Sequence, residues 1–148
     1  MEGNIIKARA FSATKHSGQL DDTGRDYYME HLVPVCEAII QLTNDEEIWM
    51  AAILHDTLED TDTTYEELVK EFGKRVADLV NEVTDEGEKD SYGKYFPRLK
   101  TKDGILIKLV DRASNISRMQ SWNEKRQQHY LNKTKFWKDG SDNKPKTK

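Results

Sequence analysis

Ile48-Trp49-Met50-Ala51-Ala52-Ile53-Leu54-His55-Asp56-Thr57-Leu58-Glu59-Asp60 runs from seven apolar residues into four ionisable side chains within six positions. The apolar half reads as a helix buried along its length. The charge at its end then falls at the rim of a core, where polar atoms must find partners, and a divalent cation is a suitable one. His55 offers an imidazole nitrogen and Asp56 a carboxylate oxygen. Glu59 and Asp60 follow about one turn later, and residues three or four apart share a helix face. Standing alone, the pair fits equally a buried histidine bonded to a neighbour, with its acids solvated at a helix end.

The other segments also read as helices. Ile5 to His16 is a first helix, and Gly18 to Gly24 a loop that turns at Asp21-Asp22-Thr23-Gly24. Tyr28 to Leu42 places apolar residues at 32, 35, 36, 39 and 40, an i, i+3, i+4 stripe, with Pro34 in a first turn that begins near Leu32. The helix Glu46 to about Leu58 follows. Thr63 or Thr64, each with a glutamate three residues on, makes a capping box for a helix holding Tyr65, Leu68, Val69 and Phe72. The next, Arg75 to Val83, aligns Val76, Leu79, Val80 and Val83. Asp85 to Ser91 is an acidic loop. Ile105 to Met119 reads as a helix on length and phase, with Leu106, Leu109, Val110, Ala113 and Ile116 on an apolar stripe. Lys108, Asp111, Asn115 and Arg118 form a polar stripe on its other side. A last helix spans Glu124 to Trp137, packing Tyr130, Leu131 and Trp137. The fold class is all-α.

A chain of 148 residues suffices for one domain with a hydrophobic core. Residues 1–137 are that domain, and the Lys-rich stretch 138–148 is a flexible tail. No apolar run approaches the ~20 residues of a membrane span. No secretory signal is visible, and Cys36, the single cysteine, excludes an intrachain disulfide. A cytoplasmic protein is expected. The net charge of −4 argues against binding a nucleic-acid duplex. Seven basic residues from Lys94 to Arg118, against Asp103 and Asp111, instead form a local patch suited to a small polyanion. Oligomeric state is left open.

Three separate helices offer metal ligands: His31, the His55-Asp56 pair and Asp111. Two imidazoles and two carboxylates make a mixed N/O shell that suits Mn²⁺, Fe²⁺ or Zn²⁺ better than Ca²⁺. With no cysteine nearby, a closed structural zinc site is not expected.

These residues appear in the order of the HD-domain metal-dependent phosphohydrolases. Ala51 to Thr61 resembles the "AALLHDxxEDT" signature of the Rel/SpoT hydrolase domain and its small stand-alone relatives. Leu109-Val110-Asp111-Arg112-Ala113-Ser114-Asn115 resembles their "LADRxxN". Phe72-Gly73 and Leu79 to Thr84 match the stretch between. The resemblance covers roughly residues 5 to 130. It implies an HD-domain helical bundle, manganese as the usual metal, and hydrolysis of the 3′-pyrophosphate of guanosine tetra- or pentaphosphate.

Hydrolysis at phosphorus needs a nucleophile at neutral pH, charge stabilisation and an aligned leaving group, all of which a bound metal serves. His31, His55, Asp56 and Asp111 are the expected shell. Glu59 and Asp60 are the expected proton acceptors or water-orienting groups, a role the resemblance also implies. Asn115 is expected to bind a ribose or phosphate, as the matching family asparagine does. Lys108, Arg112, Arg118 and, in the first helix, Lys15 are candidates to neutralise phosphate.

The sequence departs from the family at one place. Relatives carry "GQxRKxGxPYxxHP" before the first metal histidine. Here Asp21-Asp22 replaces the basic pair, Asp26 the proline before the tyrosine, and Leu32 the proline after His31. A carboxylate within ~4 Å of a phosphate costs on the order of 1 kcal/mol even in water. A second reading is therefore an HD nucleotidase or phosphatase acting on an adenosine analogue, NADPH or another phosphorylated nucleotide. A third is a non-catalytic module that binds a nucleotide or a partner. The metal and acid/base residues speak against the last, since binding alone needs neither Glu59 nor Asp60. No synthetase region is seen after the hydrolase segment, so degradation alone is expected.

Overall fold

A computed structural model describes residues 2–21, 23–85, 97–119 and 122–133. The chain folds as α1 (Glu2–Lys15), a π-helical turn (Tyr28–Leu32) that continues into α2 (Val33–Leu42), α3 (Glu46–Leu54), the single turn α4 (Thr57–Asp60), α5 (Tyr65–Phe72), α6 (Lys74–Val83), α7 (Lys102–Ser117) and α8 (Glu124–Lys133). Among the described residues there is no strand, only one antiparallel bridge between Leu20 and Asp26. The all-α expectation holds.

Helix α3 is the axis of the core. Ala51, Ala52, Ile53 and Leu54 are fully buried, and Ile48 and Met50 nearly so. Its two alanines let α1, α2 and α6 pack closely around it. Ser12 of α1 donates a buried 2.7 Å hydrogen bond to the Ile53 carbonyl. The apolar stripes of the π turn and α2 (Leu32, Val35, Cys36, Ile39) and of α6 (Val76, Leu79, Val80, Val83) close the core as their spacing predicts. Burying each large aliphatic side chain stabilises by roughly 1.5–3 kcal/mol.

The local signals hold where caps are explicit. Thr64 accepts the Glu67 amide and starts α5. Gly73, at φ +96°, ends it in a region closed to other residues without strain. Asp45 caps α3 and Thr101 caps α7.

Three features differ from the sequence reading. The helix expected to reach Leu58 stops at Leu54, because Asp56 adopts φ −100°, ψ 3° and a new turn starts at Thr57. The second helix begins at Tyr28, before the expected Leu32. Pro34 removes an amide donor there, and the Val33 amide reaches five residues back to the Tyr28 carbonyl. Three residues separate Tyr27 from His31 where the family pattern has two, and the π turn takes up the extra one. In α7 the apolar phase is shifted. Ile107 is the fully buried residue, Leu106 and Val110 are partly buried, and Leu109 is 51% exposed. The stripe of Lys108, Asp111 and Asn115 faces inward, with Lys108 buried and the other two half-buried. Most of the acidic loop, Asp22, Trp137 and the segment 138–148 lie outside the described residues.

Candidate metal centre and active site

The break at the end of α3 builds the centre. Three successive carbonyls there are each taken by a side chain. His55 Nδ1 lies 2.6 Å from the Ala52 carbonyl, Ser12 Oγ bonds Ile53, and Thr57 Oγ1 bonds Leu54 at 2.7 Å. A carbonyl can only accept, so His55 Nδ1 carries a proton and Nε2 is the ring nitrogen left to face the carboxylates, open to an ion once its own proton is displaced. The following Asp56 sits at the N-cap of α4 but caps nothing. Its Oδ2 instead accepts a 2.5 Å hydrogen bond from the Tyr27 hydroxyl.

His31, on the π turn, and Asp111, on α7, complete the group. His31 Nε2 is 2.8 Å from Asp111 Oδ1 and 3.7 Å from Asp56 Oδ2. His55 Nε2 is 3.3 Å from Asp56 Oδ2 and 3.4 Å from Asp111 Oδ1. Both imidazoles are 1% exposed and the carboxylates about 15%. Despite these approaches, neither Nε2 atom has a partner in hydrogen-bond geometry. Metal bonds of about 2.0–2.2 Å set neighbouring ligand atoms roughly 3.0–3.5 Å apart, close to the spacing found here. Buried nitrogens without donors or acceptors, converging at ligand spacing with two carboxylates, fit a divalent ion. His31, His55 and Asp111 satisfy that geometry most tightly.

The electrostatics agree. Burial opposes the charge on His55, yet Asp56 and Asp111 outweigh it and raise its pKa to about 10. Burial likewise opposes ionisation of Asp111, but the two histidines hold its carboxyl well below the usual range. Lys108, 8% exposed, would lose its charge to burial, but Asp111 and Asp85 raise its pKa. Its Nζ lies 3.3 Å from Asp85 and 3.8 Å from Asp111.

Glu59 and Asp60 stand on α4 beside this group. Glu59 accepts the Asp85 amide at 2.7 Å. Crowding by the protein, then the charges of Asp85 and Asp56, push its carboxyl up to about 7. Asp60 is raised in the same way and accepts a 3.2 Å hydrogen bond from Gln19. Gln19 is itself held at 2.7 Å by His16.

The other candidates divide. Asn115 is 3.5 Å from Asp111 Oδ1 and accepts a 2.7 Å bond from Arg118. Arg118 also reaches His31 Nδ1 at 3.2 Å. Both line a cavity of about 680 Å³, together with Gln19, Tyr27, Asp60, Trp122 and Tyr130. Arg112 turns away to the Leu131 carbonyl at 3.0 Å and ties α7 to α8. Lys15 pairs with Asp62 at 3.0 Å and Glu67 at 3.7 Å. Tyr27, Gln19 and Asp85 were not singled out from the sequence. The tyrosine of the family pattern was the one available signal for Tyr27.

Comparison with known proteins places this geometry. The HD domain family matches residues 8–95. The guanosine-3′,5′-bis(diphosphate) 3′-pyrophosphohydrolase of Aquifex aeolicus is 38% identical over 140 residues, covering 88% of this chain and 20% of that protein. The chain thus spans a fifth of that relative's length. The pyrophosphohydrolase MESH1 of Xenopus tropicalis is 33% identical over 147 residues, covering 86% of this chain and 78% of MESH1. A solved metazoan ortholog of SpoT that hydrolyses ppGpp superposes with a TM-score of 0.73 at 29% identity, over 88% of this chain and 81% of that one. By its fold, its converging ligand set and these relatives, the chain belongs to the HD-domain metal-dependent phosphohydrolases, beside MESH1 and SpoT.

Proposed function

We propose that this chain removes the 3′-pyrophosphate of guanosine tetra- and pentaphosphate, a cytoplasmic alarmone-degrading reaction, with Mn²⁺ as the resident metal in preference to Fe²⁺ or Zn²⁺. The observation that carries this reading is the convergence of His31, His55, Asp56 and Asp111 beside a nucleotide-sized cavity. The relatives named above, which are pyrophosphohydrolases of that nucleotide, support it.

His31, His55, Asp56 and Asp111 would hold the ion, which when bound would supply Lewis acidity toward water and a phosphoryl oxygen. Glu59 takes the proton of the attacking water, and its carboxyl is suited to this near neutral pH. Asp60, fixed by Gln19, orients that water. Lys108 balances the anionic charge of Asp85, Asp111 and the departing pyrophosphate. Asn115 and Arg118, on the cavity wall, bind the ribose and a phosphate. Tyr27 holds Asp56 in place.

The test is purified protein with Mn²⁺ and a panel of nucleotides, with phosphate and pyrophosphate assayed separately. Stoichiometric pyrophosphate from guanosine tetraphosphate is expected. If that nucleotide survives while another loses phosphate, the second reading takes its place: an HD nucleotidase acting on an adenosine analogue, NADPH or a similar nucleotide. One observation favours that alternative. Asp21 stands 3.6 Å from Arg118 at the cavity.

A further inference from the structure

The cavity is lined by two arginines and three carboxylates. Each arginine faces one of those carboxylates. Arg25 lies 3.5 Å from Glu30, and Arg118 lies 3.6 Å from Asp21. Both cationic groups of the wall therefore already face a carboxylate.

Asp21 does this with a division of labour between its two oxygens. Oδ1 accepts from the Thr23 amide at 2.9 Å, the Thr23 hydroxyl at 2.7 Å and the Arg25 amide at 2.9 Å, which shapes the loop. Oδ2 takes no part in those bonds and is the atom facing Arg118. The Asp21 side chain is 10% exposed and that of Arg118 34%, so solvent screens the pair in part.

We propose that Asp21 is a specificity-determining residue, which occupies the Arg118 guanidinium and so biases the cavity against nucleotides carrying phosphates beyond the group being cleaved. The inference rests on the hydrolase reading above and names the substrate feature that the site discriminates. A phosphate entering the cavity must compete with Oδ2 for Arg118. A nucleotide with an uncharged far end has no such competition.

The division of oxygens gives a clean test. Asp21→Asn keeps Oδ1, and with it all three loop bonds, while Oδ2 becomes an amide with no charge. KM with Mn²⁺ is compared for guanosine tetraphosphate and for guanosine 3′-diphosphate, which lacks the 5′-phosphates. The variant should lower KM for the tetraphosphate about three- to five-fold, the effect of one partly screened charge at this distance. The shorter nucleotide should move less than twofold. The difference should shrink in 0.5 M salt. Glu66→Gln, which removes a charge from the exposed first turn of α5, should move neither.

An unchanged KM for the tetraphosphate, or an equal change for both nucleotides, overturns the proposal. Calorimetric binding of guanosine tetraphosphate without added metal reads the same contact in the absence of turnover. If neither protein releases pyrophosphate but the variant still binds tighter, the hydrolase reading fails and this one stands. If hydrolysis proceeds and affinity is unaltered, the reverse is true.

Discussion

The Tyr27 hydroxyl donates a 2.5 Å hydrogen bond to Asp56 Oδ2, the same oxygen that approaches both His31 and His55. Burial and the Asp56 charge raise the phenol's pKa, so Tyr27 stays a donor at any working pH. It fixes the orientation of the Asp56 carboxylate, and supporting contacts of this kind typically change metal affinity 10–100-fold. Tyr27→Phe should weaken Mn²⁺ binding by about tenfold, read by calorimetric titration, with little change in melting temperature of the metal-free protein. Unaltered affinity would show that Asp56 needs no such support.

Removing a ligand should do far more. Asp56→Ala takes away one carboxylate of the shell and should lower pyrophosphate release by on the order of a thousandfold or more, and a chelator should do the same to the parent protein. Circular dichroism checks that the helices persist. Full activity in the alanine variant would remove Asp56 from the shell.

Two shifted groups give the pH dependence. In the metal-free protein His55 stays protonated up to about pH 10, so an incoming ion must displace that proton. Metal affinity should therefore rise with pH across the neutral range, with protons released into the buffer. Titrations in buffers of different ionisation enthalpy count them. Without metal the His55 shift stabilises the fold fully below its ordinary value near 6.5, and that gain is lost as pH rises toward 10. As the proposed base, Glu59 would act in its ionised form, and its carboxyl is raised to about 7. Turnover at saturating metal should therefore increase with pH through that region, and Glu59→Gln should abolish that limb along with most of the rate.

The placement of α7 can be tested away from the chemistry. Glu82 is 6% exposed, and its carboxylate accepts the Lys100 amide at 2.7 Å, the Thr101 amide at 3.0 Å and the Thr101 hydroxyl at 2.9 Å. A Cβ on Gly104 would collide with that carboxylate. Gly104→Ala should cost about 2–3 kcal/mol of stability, as overpacking does, seen in denaturant unfolding. It should also lower turnover, since α7 carries Asp111 and Asn115.

The parts of the fold that were legible rest on local patterns. The α2 and α6 stripes and the Thr64 cap are one-dimensional signals, and the ligands were legible as residue types in a motif. The break after Leu54 was not, because Leu58 falls four residues after Leu54 in helical phase, while hydrogen bonds to three carbonyls end the helix. The burial of Lys108 was missed for a related reason. A lysine reads as solvent-facing unless its partner is known, and Asp85 lies 23 positions away in sequence. Glu82 is buried by contacts to residues 18 and 19 positions later, which no periodicity reveals.

Because the ring of His55 is anchored to the backbone of its own helix, one corner of the socket is set before any ion arrives. Stripping the cation should leave the scaffold standing, and adding it back should rearm the enzyme as fast as the ion can diffuse in, without a slow rearrangement first.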